Sequence, residues 1–401
     1  MSFDADVIVV GGGLAGLSAS LTAVREGLSV LVLERGEFSG AKNVSGGRMY
    51  VHALRQLVDI SEAPLERPIT KETYLIKCSN RTISFSFSDP ESRNSYSVLR
   101  AKFDPWLAKK AEEEGVIISY NTLVLGAERE DGGMTVRTNR GDLRAPLVIE
   151  ADGVTAGISR SLGLRKLEPH SLMLGVKEVV KLEGPPEEGE ARVLVGFVGE
   201  LLGGAFMYTN EDTLSLGATV KINSLQEGNK MARDLVEEIR ESLGVTGEVL
   251  EYSAHLIPYY GYDKLPPLHA PNLLVTGDAA GLLINDGFVI RGMDLAIGSG
   301  MIAGKAAKRI LSEGKPQDTS VYERMLRESF VLKDMYTARR AFTLMNEERL
   351  FRRYPELLCD VLARMFKVEG ERKRLLEVVQ EEASKRGLTL TKLVRDLVKV
   401  M

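Results

Sequence analysis

The chain has 401 residues, 44% apolar and 27% charged, a globular balance with room for two or three domains and a large core. Lys and Arg number 52 against 56 Asp and Glu, so no global charge argues for a nucleic-acid partner. The two cysteines, Cys78 and Cys359, lie far apart and exclude a disulfide scaffold, a four-cysteine zinc site and an iron–sulfur cluster held by this chain alone. No run approaches the roughly 18 uninterrupted apolar residues of a membrane span, and residues 1–6 lack the basic region of a signal peptide. A soluble or peripheral intracellular protein is the expected class.

In chain order, residues 7–10 are a short apolar run stopped by glycines, which predicts a buried parallel strand. Residues 14–27 predict a helix ending at glycine, and 28–33 a second strand closed by Glu34. This strand–helix–strand unit of about 30 residues is the minimum for a right-handed parallel crossover. Strands are expected at 73–78 and 82–87, a helix at 102–114, and strands at 116–120, 123–128, 134–138 and 143–151. Further strands are predicted at 172–182, 193–198, 205–209, 214–220, 249–257 and 273–276, with helices at 231–243 and 293–311. From Tyr322 onward the pattern is helical only, and residues 324–401 hold 18 Lys and Arg against 12 Asp and Glu.

Gly11-Gly12-Gly13-Leu14-Ala15-Gly16 carries the G-x-G-x-x-G spacing at Gly11, Gly13 and Gly16, directly after a strand and opening a helix. The first glycine permits the turn, the second lets a pyrophosphate approach the backbone, and the third packs helix on strand. Free N–H groups at the helix start then face the phosphates. Glu34, 18 residues after Gly16, is placed to accept the ribose hydroxyls of an adenosine. Nicotinamide enzymes share this unit, so other segments must identify the dinucleotide. The apolar strand into Gly277-Asp278 resembles the second fingerprint of flavoproteins with a glutathione-reductase-type fold. Glu150-Ala151-Asp152-Gly153, with Ser159 and Arg160 beyond, resembles the Asp-Gly fingerprint of the hydroxylase-like branch. Ile297-Gly298-Ser299-Gly300-Met301-Ile302-Ala303-Gly304 mimics a second glycine motif but falls inside a predicted helix, where small residues serve helix packing. No dedicated nicotinamide domain is therefore expected.

Longer segments resemble the FixC branch of the electron-transfer-flavoprotein:quinone oxidoreductases. They are Glu34-Arg35-Gly36, Gly40 through Tyr50 with Gly46-Gly47, Ser97 through Asp104, and Val289-Ile290-Arg291-Gly292-Met293-Asp294. The resemblance implies an α/β chain with a glutathione-reductase-type FAD-binding fold, a mixed-sheet substrate (quinone) domain and a C-terminal helical segment. FAD-domain parts are expected at 1–72, 98–166 and 259–321, quinone-domain parts at 73–97 and 167–258, and the helical segment at 322–401. It further implies non-covalent FAD held by Ala15, Glu34, Arg35, Gly47, Arg100, Val124, Asp152, Asp278, Gly292 and Met293. The free N–H groups of a helix starting at Gly292-Met293 suit the pyrimidine edge, where negative charge develops on reduction. Leu202-Gly203-Gly204-Ala205-Phe206-Met207-Tyr208 resembles the family's quinone segment, which makes Gly203, Gly204, Phe206 and Tyr208 quinone-site candidates.

Mitochondrial-type relatives carry their own four-cysteine cluster; this chain has a lone Cys359 in basic helices. The resemblance therefore implies a separate ferredoxin-like FixX-type subunit, together with electron-transfer-flavoprotein alpha and beta subunits and a membrane quinone, the protein lying peripherally on the inner face of the cell membrane. No metal site is expected. Leu201, Leu202, Phe206 and Met207, with Leu282, Leu283, Ile284, Phe288 and Val289, are expected either to rim an exposed quinone mouth or to be core. Arg339-Arg340, Arg352-Arg353 and Arg372-Lys373-Arg374 form either a solvated surface or a docking face. Two rivals share the fingerprints. One is a geranylgeranyl reductase, whose Tyr-x-Trp-x-Phe-Pro segment has no counterpart at Ala205-Phe206-Met207-Tyr208-Thr209-Asn210. The other is a non-catalytic module like the Rab GDP-dissociation inhibitors.

Overall fold

In the computed structural model, which describes residues 3–41, 47–228, 230–287 and 289–400, two large sheets face each other across a cavity. The first has six strands in the order His269–Ala270, Leu273–Val275, Leu147–Glu150, Val7–Val10, Val30–Leu33, Ile117–Ser119. All neighbours run parallel except the outer His269–Ala270. Its central strands are covered on both faces, which is why Val7–Val10 is apolar without alternation.

The helix Leu14–Arg25 lies on this sheet and packs along the helix Met293–Ser312. A Cβ on Gly300 would sit 2.3 Å from the Ala15 carbonyl oxygen, and one on Gly304 2.6 Å from that of Ala19. The second glycine-rich motif is therefore a seam that lets two helices approach, as its position inside a helix predicts.

A strand was expected to run unbroken from 143 to 151, but Pro146 divides it. Gly141–Ala145 joins the antiparallel sheet with Val124–Glu130 and Gly133–Thr138, whereas Leu147–Glu150 enters the parallel sheet. Proline has no N–H for a ladder, so the chain changes sheets there. A small sheet of Arg48–Tyr50, Ser95–Val98 and Leu65–Pro68 lacks any long alternating pattern and was not predicted.

The second large sheet has seven strands in the order Val249–Pro258, Leu172–Lys181, Thr213–Lys221, Gly203–Thr209, Glu190–Val195, Lys71–Cys78, Arg81–Ser88. Its two faces divide by alternation. Leu194, Ala205, Met207, Leu216, Ala218 and Val220 bury against Leu235, Val236 and Ile239 of the amphipathic helix Ala232–Ser242. The opposite positions, among them Lys177, Phe206, Tyr208, Thr219 and His255, face the cavity.

From Ser320–Glu328 onward the chain is helical and ends in a satellite core of Leu357, Val361, Val378, Ala383 and Leu388. The expectation of a lone Cys359 is corrected here: Cys359 is disulfide-bonded to Cys78. The bond ties the helix Arg353–Phe366 to the end of the strand Lys71–Cys78, beside an Arg81–Asp360 ion pair. Proximity between residues 281 apart is a tertiary fact with no local signature. Several tail cations are spent within the chain. Lys373 pairs with Glu381, Arg352 with Glu348 and Glu200, and Arg372 donates to the Met365 carbonyl.

Candidate active site

The cavity holds about 560 Å³ between the carboxyl ends of the parallel strands and the seven-stranded sheet. It is lined by Gly11, Gly13, Ala15, Glu34, Arg35, Gly47, Arg100, Val124, Asp152, Asp278, Gly292 and Met293, together with Phe206 and Tyr208. Residues from 11 to 293 thus converge on one wall system. Gly16 lies beneath it: a Cβ there would meet the Gly11 carbonyl oxygen at 1.9 Å, so it serves the tight turn rather than the lining.

Gly13 caps the first helix, and a Cβ built on it would find nothing within 4 Å. That is open cavity at a helix N-terminus, the shape and polarity a pyrophosphate needs. Glu34 is buried and accepts the Gly12 N–H at 2.7 Å and the Gly36 N–H at 2.6 Å. The loop and the acid therefore hold each other in place.

Arg100, predicted as a phosphate contact, is buried at the start of the helix Arg100–Glu113 and makes a two-point ion pair with Asp104, at 2.5 and 2.7 Å. Asp104 also lines the cavity and was not singled out, although its i,i+4 spacing from Arg100 on a helix was readable.

Asp152 accepts the Gly157 N–H through Oδ2 at 2.9 Å, while its Oδ1 is buried without a partner. Burial, and then the neighbouring Glu150 carboxylate, push its carboxyl up to about 7. Glu150 is itself held by the N–H groups of Ile158 and Ser159 and by the Ser159 hydroxyl. An orphaned acceptor on the cavity wall fits a hydroxyl-bearing ligand.

Asp278 sits in the short turn Gly277–Ala280, anchored where Ser299 Oγ takes the Thr276 hydroxyl at 2.7 Å and the Gly277 N–H at 3.1 Å. His255 Nε2 lies 3.3 Å from Asp278 Oδ2. At the start of Met293–Ser312, the buried Asp294 pairs with Arg291 at 2.6 Å and His52 at 2.9 Å. Burial alone would raise the Asp294 carboxyl, but His52 and Arg291 hold it below its ordinary value. This lock fixes the direction of the free N–H groups at Gly292 and Met293.

On the facing sheet, Tyr208 packs against Gly47, where a Cβ would meet its ring at 2.2 Å. Burial pushes the Tyr208 phenol up to about 12. Lys177 stands buried in the strand Leu172–Lys181, 3.4 Å from Glu251, and burial pushes its amine down. Lys177 and His255 were missed. The charged pair Lys177-Glu178 between apolar residues of one strand was the available signal for the first. Gly203 and Gly204 do not line the cavity; they stand in the ladder opposite Val220 and Thr219.

Of the mouth and core alternatives, core holds for five of these apolar residues. Leu201, Met207, Leu282, Leu283 and Ile284 are buried core, Leu202, Phe206 and Val289 are half-buried, and Phe288 lies outside the described residues. So do Lys42 to Gly46 of the segment that carried part of the resemblance.

The orphaned Asp152 oxygen, the open helix start at Gly13 and the buried Arg100 fit FAD. Residues 6–177 and 92–306 match two family models described as FAD dependent oxidoreductase, and 341–401 match the ETF-QO/FixC family C-terminal domain. The chain is similar to the probable electron transfer flavoprotein-quinone oxidoreductase YdiS of Escherichia coli strain K12, at 36% identity over 96% of this chain and 95% of that one. It is 38% identical to protein FixC of Escherichia coli O157:H7 over 92% of each chain. Among solved structures, a geranylgeranyl bacteriochlorophyll reductase-like protein from Thermoplasma acidophilum superposes with a TM-score of 0.76 at 21% identity, covering 99% of both chains. The flavin-dependent halogenase CmlS follows the same fold, at a TM-score of 0.63 and 21% identity, over 96% of this chain and 77% of that one.

Proposed function

We propose, from the premise that this chain belongs to the FixC family of FAD-dependent electron-transfer-flavoprotein:quinone oxidoreductases, that it takes electrons from an electron transfer flavoprotein and delivers them to a membrane quinone. The observation that carries this reading is a single cavity shared by the dinucleotide fingerprints and by Phe206 and Tyr208 of the opposite sheet.

FAD, when bound, supplies the redox centre. The Gly13 helix start would offer its free N–H groups to the phosphates, Arg100, its charge already matched by Asp104, would donate a hydrogen bond to them, Glu34 and Asp278 would accept hydroxyls, and the Gly292 and Met293 N–H groups would serve the ring edge. Tyr208 keeps its O–H throughout the physiological range and can donate it to a quinone carbonyl. Phe206 offers the ring an apolar face. Reducing the quinone to the quinol takes two electrons and two protons.

The donor in this reading is an electron transfer flavoprotein of alpha and beta subunits. A ferredoxin-like FixX-type subunit supplies any cluster, since both cysteines of this chain are bonded to each other. Among the described residues no helix is long and apolar enough to cross a membrane, so contact with the bilayer is peripheral in this reading, at the inner face of the cell membrane. The likeness to the reductase-like structure is one of fold and supports no prenyl-reducing activity.

Anaerobic mixing tests the proposal. Reduced electron transfer flavoprotein, with and without the ferredoxin-like subunit, should bleach the yellow absorbance of the purified protein, and added quinone should restore it. If neither mixture bleaches it, or if quinone leaves the bleached protein unchanged, the proposal falls.

A further inference from the structure

The cations on the cavity wall are matched in different ways. Arg35 is exposed at its rim, Arg48 makes a two-point pair with Glu72, and Arg100 makes one with the fully buried Asp104. The Lys177–Glu251 pair is built otherwise. Lys177 is 4% exposed, whereas Glu251, 3.4 Å away, is 34% exposed. A buried ammonium group is held here by a carboxylate that reaches water.

Strand register places this lysine between two dinucleotide-site candidates. Lys177 stands opposite Ser253 on the strand Val249–Pro258, and Gly175, two residues back, stands opposite His255. Residues two apart on a strand share a face, so Lys177 and His255 lie together on the cavity side. His255 Nε2 in turn meets Asp278 Oδ2 at 3.3 Å. On the other side comes Arg100, which belongs to the helix Arg100–Glu113 rather than to the seven-stranded sheet. Its charge reaches the lysine: burial pushes the Lys177 amine down, the Glu251 carboxylate draws it up, and the Arg100 guanidinium pushes it down again. Two cations from two layers thus act on each other at one cavity, an arrangement that an anion between them relieves.

We infer that Lys177 is a diphosphate contact of FAD contributed by the seven-stranded sheet, and that the cofactor takes Lys177 over from Glu251 on binding. The inference rests on FAD occupying the cavity. The diphosphate is doubly charged. The Gly13 helix start offers it directed N–H groups, and Arg100 comes with Asp104 already matching its charge. Lys177 adds the net positive charge, because its carboxylate partner can turn to water when the phosphate arrives. A lysine suits that exchange, being a compact charge with three donors and no fixed fork geometry. FAD is then gripped by both layers of the molecule, and its diphosphate bridges them.

Titration of the flavin-free protein with FAD, at low and at high salt, tests the assignment. Wild type is compared with Lys177→Gln, Lys177→Arg and Glu251→Gln, and thermal melts show which flavin-free variants are folded. Lys177→Gln should weaken FAD about tenfold to a hundredfold, the range of a lost charge-assisted hydrogen bond, and its affinity should fall less steeply with salt than that of wild type. Lys177→Arg keeps the charge and should recover most of the loss. Glu251→Gln should bind FAD at least as tightly as wild type, because the competing carboxylate is gone. If Lys177→Gln does not fold, the other two variants still decide. Weaker FAD binding by Glu251→Gln would show that the pair only holds the sheet together, and overturns the exchange of partners. A loss in Lys177→Gln that is equal at both salt concentrations would give the lysine a hydroxyl rather than a phosphate, and overturns the contact. A wild type that takes up no FAD overturns the cofactor reading itself.

Discussion

The guanidinium of Arg100 and the carboxylate of Asp104 face each other one helical turn apart, both buried and joined at two points, on the wall of the cavity. Arg100 thus enters the site already aimed, with its charge balanced before any phosphate arrives. Asp104→Ala should strand that charge. Removing one partner of a buried pair costs about 3–5 kcal/mol. Denaturant unfolding of the flavin-free variant should show a loss of that order, partly recovered on adding FAD. A loss of under about 1 kcal/mol would mean that the pair behaves as an exposed one.

Glu34 has two duties, since its carboxylate also takes the Gly12 and Gly36 N–H groups. Glu34→Ala should weaken FAD by about 1–3 kcal/mol, the value of a hydrogen bond to a charged group, and should loosen the glycine loop as well. Glu34→Gln keeps an oxygen for one N–H and should lose less. Flavin fluorescence titration measures both; equal affinities across wild type and the two variants would remove Glu34 from the adenosine site.

What was legible in the sequence was local. Strand 7–10, the glycine loop and Glu34 lie within one crossover unit, so spacing alone places them together. The helical position of Gly300 and Gly304 likewise marked them as a packing seam. What escaped depends on register between strands distant in sequence. Lys177 and His255 reach the cavity because Leu172–Lys181 pairs with Thr213–Lys221 on one side and Val249–Pro258 on the other. The apolar runs at 201–207 and 282–284 carry no mark that separates a rim from a core.

Asp152 gives the flavin-free protein a pH dependence of definite sign. Its carboxyl titrates at about 7 when folded, raised first by burial and then by Glu150, against an ordinary value near 3.8. Between those values the folded state holds a proton that the unfolded state has released, so stability falls as pH rises, by up to about 1.4 kcal/mol per pH unit, and levels off above 7. Asp152→Asn carries no such proton. Its stability relative to wild type should therefore climb from pH 4 to 7 and stay flat beyond. Thermal melts of both proteins at pH 5, 6, 7 and 8 decide the matter; a constant offset would show that Asp152 is solvated in the folded state.

The Cys78–Cys359 bond joins the C-terminal helices to the seven-stranded sheet, beside exposed polar contacts such as Arg81–Asp360 and Arg352–Glu200. The C-terminal satellite core has only five buried apolar residues, and Arg81–Asp360 is an exposed pair of small value. The covalent link, worth about 2–4 kcal/mol for a typical disulfide, should therefore dominate the docking of the helix Arg353–Phe366 on the strand Lys71–Cys78. Cys359→Ser, or wild type reduced with dithiothreitol, should expose the stretch 367–374 between the last helices to limited proteolysis. The FAD-binding parts, held by their own core, should stay intact and yellow. Peptide mapping under non-reducing conditions should recover Cys78 and Cys359 in one linked fragment. Recovery of two free thiols, or identical digestion of the oxidised and reduced proteins, would show that the tail is held by its packing alone.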